Sequence, residues 1–455
     1  MRPLAPICPW PGIALAEQHR LTLNSAQELL MQRKYISVSD VRPADARDPW
    51  IWLQRWVLLW EHPVLSMLLA LVLYTALASL HGPVWRVSPF SYYNYLADAF
   101  LHGQLHLRLI PPTTHDLSPF GGRYYLYWAP LPAILLMPFV ALFGMQFSDI
   151  VFTIGIAALN VLLVALLLRY ACREGVVRLS RLQRGLLVVF FALGTVHVTL
   201  APYGRVWFTG QLVGFFCVAL AYLAAIGLSG RSAFAFTGLA LAGALLTRNH
   251  LILAGLWPAC YLLHQHWSAS WRRRLSCILA GLSPIVLATA LLGAYNWLRF
   301  ASLFDNGIAY HQMSPVFVSD FRRYGVFNLH YLPANLFYQY LAYPFPLRAT
   351  TWQGGSLFLL SPVFFAVFWG IAAGTPRWSA WVLLGTILLV AAPILLLMGT
   401  GWVQFGPRYT LDFTVPLLLL IALGVRRWPT WVLALLTAIS IITYLIGTFY
   451  FGLFV

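Results

Sequence analysis

The stretch ProLeuProAlaIleLeuLeuMetProPheValAlaLeuPheGly at 130–144 decides how the rest of the chain is threaded. Its 15 residues are apolar enough for a membrane span, yet three are proline, and a crossing helix needs roughly 20 residues. Counted as a span, it would send the basic loop 169–184 (Arg169, Arg173, Arg178, Arg181, Arg184) to the exterior. Read as an interfacial or re-entrant helix, it leaves every basic loop on one side, as the positive-inside rule requires. That side is then the cytoplasm.

Working outward, the chain has 455 residues, 60% hydrophobic and 9% charged, too little polar surface to cover a soluble globule of this size. Barrel strands would alternate over about 10 residues, and these runs do not. The expectation is an all-α integral membrane protein with about eleven transmembrane helices, near 63–80, 149–168, 185–202, 210–228, 233–247, 249–264, 276–297, 356–373, 379–399, 408–425 and 430–450. Arg231, Arg272, Arg273, Arg274, Arg377, Arg426 and Arg427 then face the cytoplasm with the N-terminus, while the C-terminus and the long loops 81–148 and 298–355 face the exterior. Residues 1–62 read as a cytoplasmic tail whose Trp-rich end, 46–62, suits a helix on the membrane surface. The tail has no apolar signal region, so the first span of the domain 63–455 is expected to act as an uncleaved anchor.

A formal charge of +16 in a soluble protein would suggest nucleic acid. Here the arginines lie in short loops between apolar runs, so no nucleic-acid partner is expected and membrane lipids are. The cysteines, at 8, 172, 217, 260 and 277, form no CxxC pattern and suggest neither a disulfide framework nor a zinc site.

Six acids lie outside the tail and the cytoplasmic loops: Asp98, Asp116, Asp149, Asp305, Asp320 and Asp412. In a chain so poor in charge, an acid at the membrane is a functional candidate, although Asp149 after Ser148 also reads as part of a helix cap. Asp98 sits in a helical stretch closed by Gly103, and Asp116 precedes GlyGlyArgTyrTyrLeuTyrTrp in the same loop. Either carboxylate could act as a general base or hold a divalent metal. On the same face lie Arg123, Arg205, Arg248, Arg299, Arg322, Arg323, Arg348 and Arg408, with His102, His106, His115, His250, His311 and His330. An arginine at an outward helix end breaks the positive-inside pattern, and bidentate phosphate recognition is a physical reason for it. Arg205, in AlaProTyrGlyArgValTrpPhe, and Arg408, in PheGlyProArgTyr, are the sharpest cases, with Arg248 beside them as a third phosphate candidate. Arg123, Tyr124, His102, Arg299, Asp305 and Asp412 are candidates for substrate contact.

These blocks have a familiar order. TyrAsnTyrLeuAlaAspAlaPheLeuHisGlyGlnLeuHisLeu (93–107) and GlyArgTyrTyrLeuTyrTrpAlaProLeuProAlaIleLeuLeuMetProPhe (122–139) resemble the first exterior loop of bacterial GT-C glycosyltransferases, the superfamily of protein O-mannosyltransferases and aminoarabinose transferases. AsnTrpLeuArgPheAlaSerLeuPheAspAsnGly (296–307) and PheGlyProArgTyrThrLeuAsp (405–412) resemble further blocks. The resemblance implies two juxtamembrane helices in the first exterior loop, and an inverting transfer of sugar from a polyprenyl-phosphate donor to a hydroxyl on a lipid, glycan or protein. It places the catalytic acid in that loop and basic helix ends on the lipid phosphate, at the exterior of a bacterial plasma membrane. A divalent cation, Mg or Mn, is the candidate cofactor, without an evident ligand set. Where many relatives begin the first juxtamembrane helix with an acidic pair, this chain has Ser88 and Pro89, which leaves Asp98 and Asp116 as competing acids. A transporter or flippase would need charge in the middle of its spans, which is nearly absent; a non-catalytic assembly subunit on the same fold is the other alternative.

Overall fold

The structure is a computed structural model and describes residues 49–347, 352–399 and 403–454. The chain divides into a unit Met1–Arg55, of which only the start of one helix is described, and a unit Trp56–Val455. Most of the expected tail, Cys8 and Arg348 lie outside the described residues.

Apolar sequence becomes helix throughout, because a backbone surrounded by lipid must satisfy its hydrogen bonds within itself. The order is α1 (Pro49–Glu61), α2 (Pro63–Ser79), α3 (Tyr92–Leu101), the hairpin β1 (Ser118–Phe120) and β2 (Arg123–Tyr125), α4 (Leu131–Phe143), α5 (Asp149–Arg173) and α6 (Arg181–Leu193). Then follow α7 (Val206–Gly227), α8 (Gly230–Leu245), α9 (Leu256–Gln265), α10 (Trp271–Phe300), α11 (Pro315–Tyr324), α12 (Arg377–Leu396), α13 (Thr414–Val425) and α14 (Thr430–Phe454). Two short strands, β3 (Gln353–Gly354) and β4 (Gln404–Phe405), pair in parallel.

Among the described residues, seven helical stretches are long and apolar enough to cross a membrane: Asp149–Arg173, Arg181–Leu200, Val206–Gly227, Trp271–Phe300, Arg377–Leu396, Arg408–Val425 and Thr430–Leu453. The other four of the expected eleven are also helical but shorter or interrupted, so the count of eleven is not met by unbroken spans. α2 has 17 residues and bends by 105° from the helix that precedes it, and α8 has 16. The stretch 249–264 opens as a 3-10 turn, Asn249–Gly255, before α9. The stretch 356–373 is divided among Leu357–Leu360, Pro362–Phe365 and Ala366–Ala373. The deciding segment 130–144 forms the 13-residue α4. At 1.5 Å per residue that helix is about 20 Å long, well short of the ~30 Å hydrocarbon thickness. With α3 it gives the expected pair of short helices between α2 and α5.

Small residues set the helix contacts, as they do where lipid removes the hydrophobic drive between helices. A Cβ on Gly238 of α8 would meet the Gly281 carbonyl oxygen of α10, and one on Gly424 of α13 would meet that of Ala366. α13 is buried along its whole length, whereas α10 turns Leu279, Leu282, Val286, Leu287 and Leu291 outward, the surface expected to face acyl chains. Cys172, Cys217, Cys260 and Cys277 are all free thiols.

Candidate active site

Asp116 is held by a stapled loop. The Tyr92 hydroxyl of α3 donates to the carbonyls of Thr113 (3.1 Å) and His115 (2.8 Å), fixing the turn ahead of it. The Asp116 amide donates to the Gln312 carbonyl and the Gln312 amide to the Leu117 carbonyl, each at 2.8 Å, while the Ser118 hydroxyl reaches the Gly307 carbonyl at 2.8 Å. The neighbouring hairpin turns on Gly121 and Gly122, both with positive φ, in the two-residue loop that suits strand twist. Asp116 itself has φ 62°, a left-handed conformation that Asp tolerates better than most residues but that costs of order 1–3 kcal/mol, strain of a kind concentrated at functional sites.

The carboxylate so placed accepts the indole N–H of Trp207 at 3.0 Å and lies 3.6 Å from His115 Nε2. It opens on a cavity of about 280 Å³ that Arg205 and Arg408 also line, walled by Tyr127, Trp207, Phe208 and Tyr409. Burial, followed by the charge of Asp116, pushes the Tyr127 phenol well above its ordinary range. Arg205 precedes α7 as its N-cap residue and lies over the Phe90 ring at 5.3 Å. Burial pushes its guanidinium down to about 10, still charged at neutral pH, and an anion beside it would oppose that shift.

Arg408 opens the 3-10 turn Arg408–Phe413 and is 6% exposed. It lies over the rings of Tyr409 (4.8 Å) and Phe208 (5.7 Å) and reaches Gln211 Oε1 at 3.4 Å. Among the described residues it makes no ion pair, and its Nε has no hydrogen-bond partner. A buried guanidinium left uncompensated is costly. The cavity beside it is where an anion would sit.

The other candidates lie elsewhere. Asp98 faces Arg108, whose Nε and Nη2 donate to its carboxylate at 2.9 and 3.2 Å, with His102 Nδ1 at 3.5 Å; it does not line the cavity. That hydrogen bond raises the Arg108 guanidinium above its ordinary value. Arg248 and His250 converge on Asp412, at 3.1 and 2.8 Å from Oδ2, and Arg248 covers the Tyr409 ring at 5.0 Å. This cluster shares Tyr409 with Arg408, so it braces one wall of the cavity. Arg299 is buried on the carbonyls of Leu126 (2.7 Å) and Tyr295 (3.2 Å) and on Asn296 Oδ1 (2.8 Å). Asp305 closes its own turn, accepting from the Gly307 amide (2.8 Å) and the Tyr310 hydroxyl (2.9 Å). Arg123 and Tyr124 lie on β2, outside the cavity lining, and His106 packs edge-on against Tyr125.

Asp149 is buried and accepts from the Ser88 amide (2.8 Å) and the Ser88 hydroxyl, while Ser148 supplies the α5 cap by accepting from Val151 N at 3.2 Å. Ser88 is thus tied to a carboxylate from another element. Sequence reasoning passed over Arg108, Tyr127, Trp207 and Tyr409. Trp207 and Tyr409 are each within two residues of a singled-out arginine, and that proximity was the available signal. Among the described residues no group of three or more His, Cys, Asp or Glu converges as a metal site.

Two solved structures are similar in fold. One is the crystal structure of ArnT from Cupriavidus metallidurans bound to undecaprenyl phosphate, with 16% identity, a TM-score of 0.47, and coverage of 81% of this chain and 61% of that one. The other is the oligosaccharyltransferase AglB from Archaeoglobus fulgidus in complex with an inhibitory peptide and a dolichol-phosphate, with 14% identity, a TM-score of 0.40, and coverage of 85% and 56%. Both of those proteins are membrane glycosyltransferases of the GT-C fold. The chain spans less than two thirds of the length of either, and at these values the likeness concerns the fold alone. No protein-family model and no curated protein sequence matches the chain.

Proposed function

We propose that this protein is a glycosyltransferase of the bacterial plasma membrane that moves a sugar from a polyprenyl-phosphate carrier to an acceptor hydroxyl at the exterior face, with inversion. The observation that carries this reading is Arg408, a buried guanidinium that has no carboxylate partner among the described residues, on the same cavity as Arg205 and Asp116. The Asp116 carboxylate accepts the proton of the acceptor hydroxyl. The hydroxyl oxygen bonds to the anomeric carbon from the face opposite the phosphate, and the bond from that carbon to the phosphate oxygen breaks. Charge develops on the departing phosphate, where Arg205 and Arg408 offer fixed cations in a site of low dielectric, the kind of electrostatic contribution that commonly dominates rate enhancement. Trp207 and His115 orient the carboxylate, and the aromatic walls give the sugar ring faces to pack against. Asp98, engaged by Arg108, holds the first exterior loop together in this account.

Binding of the carrier tests the phosphate half of the proposal without requiring knowledge of the acceptor. Undecaprenyl phosphate should raise the melting temperature of the purified wild type, and the Arg408→Gln variant should lose most of that shift. An equal shift in both would remove Arg408 from the phosphate site. A transporter reading predicts carrier binding as well, but no transfer.

A further inference from the structure

The end of α5 remote from Asp116 carries a second constellation that the proposed reaction does not use. α5 starts at Asp149, beside Ser88 and Gly204, and runs 25 residues to Arg173, about 37 Å at 1.5 Å per residue. Its last turns form part of an apolar groove of about 510 Å³ between α5, α7 and α8, with Leu166 and Tyr170 on one side and Leu220, Ala224, Leu239 and Ala240 on the others. The groove opens outward, where Phe236 and Leu239 are 55% and 58% exposed. Directly beyond it lies a polar pocket of about 590 Å³ lined by Arg169, Arg173 and Arg184. Leu166 and Tyr170 line both, so the apolar groove and the basic pocket meet end to end.

Among the described residues, the charges in and around that pocket do not cancel. Glu61, 4% exposed, accepts from Arg184 at 2.7 Å, with Arg181 at 3.6 Å and Arg169 at 3.8 Å; Arg173 pairs with its neighbour Glu174 at 2.9 Å and lies over the Tyr170 ring at 5.0 Å. Among the described residues, four arginines (Arg169, Arg173, Arg181, Arg184) against two glutamates (Glu61, Glu174) leave two positive charges at the mouth of an apolar groove that opens outward between helices. Glu61 fixes Arg184 deep in the pocket, whereas the Arg169 and Arg173 side chains are 45% and 69% exposed and available to a ligand.

We propose that this is a binding site for an anionic phospholipid of the bilayer, with an acyl chain in the groove and the headgroup phosphate on Arg169 and Arg173. Charge complementarity selects the occupant: a zwitterionic lipid would fill the groove without answering the two excess arginines, and a free phosphate would answer the arginines without filling the groove. The site is independent of the transfer reaction.

Native mass spectrometry of the full chain in detergent, titrated with phosphatidylglycerol or phosphatidylcholine of the same chain length, tests it. The wild type should retain phosphatidylglycerol in preference. Arg173→Gln, at an exposed position, should weaken that retention about five-fold, the weight of one arginine against an anionic surface. Ala240→Phe, which fills the groove and leaves the arginines in place, should weaken it without altering any binding of inorganic phosphate. Equal retention of the two lipids, or phosphatidylglycerol retention unchanged in both variants, would overturn the proposal. So would inorganic phosphate binding that is lost in Arg173→Gln with no groove dependence of lipid retention, or stronger retention of undecaprenyl phosphate than of phosphatidylglycerol at this groove.

Discussion

Asp116 and Asp98 make different demands on the same test. Each is a carboxylate of the first long loop, but Asp116 opens on the cavity with a left-handed backbone, whereas Asp98 is closed off by Arg108. Asp116→Asn keeps the shape and the Trp207 contact while removing the base, so transfer should fall about 10²- to 10⁴-fold with an unchanged melting temperature. Asp98→Asn should do the reverse, lowering the melting temperature while transfer survives, as steady-state rates beside a thermal denaturation curve would reveal. Arg408 is a more specific probe, since guanidinium and ammonium differ in donor geometry. Arg408→Lys should retain part of the activity and Arg408→Gln should lose about 10²- to 10³-fold in kcat, the usual cost of one donor aimed at developing charge. Equal losses in the two would mean that charge at this position contributes nothing. None of these distinctions is visible in the sequence, because the partners are set by folding: Arg248 meets Asp412 across 164 positions, and Trp207 meets Asp116 across 91.

At the scale of elements, hydropathy located every apolar stretch, and all of them are helical. What it does not report is a break. The 3-10 turn Asn249–Gly255 and the division of 356–373 leave mean hydropathy almost unchanged, yet they bring Arg248 and His250 to the Asp412 cluster and reduce the number of unbroken spans. Proline spacing and length were enough for 130–144, since α4 is physically too short to cross. Glycine contacts could not be ranked beforehand, because a glycine in a helix gives no sign of what faces it. Gly238 is the clearest instance. Its missing Cβ would stand 1.9 Å from the Gly281 carbonyl oxygen, so Gly238→Leu must push α8 and α10 apart. A destabilisation of about 1–3 kcal/mol is expected, measurable as a lowered melting temperature in detergent. A neutral result would mean that the two helices do not pack as described.

For the whole molecule, the orientation rests on where the arginines fall. The proposed orientation, with the basic loops in the cytoplasm and the Asp116 cavity at the exterior, predicts that an impermeant maleimide labels Leu109→Cys in intact cells and Arg231→Cys only after permeabilisation, native cysteines having been replaced. The reverse pattern would invert the protein in the membrane. Composition was sufficient for the membrane class, but neither composition nor the order of short blocks could say which acid shares a cavity with Arg205 and Arg408. That convergence is the central claim, and transfer of radiolabelled sugar from synthetic polyprenyl-phosphate sugars, in membranes supplied with candidate acceptors, tests it most directly. The account predicts transfer by the wild type and by Asp98→Asn, and loss of transfer in folded Asp116→Asn and Arg408→Gln; transfer lost in folded Asp98→Asn but retained in Asp116→Asn would contradict it.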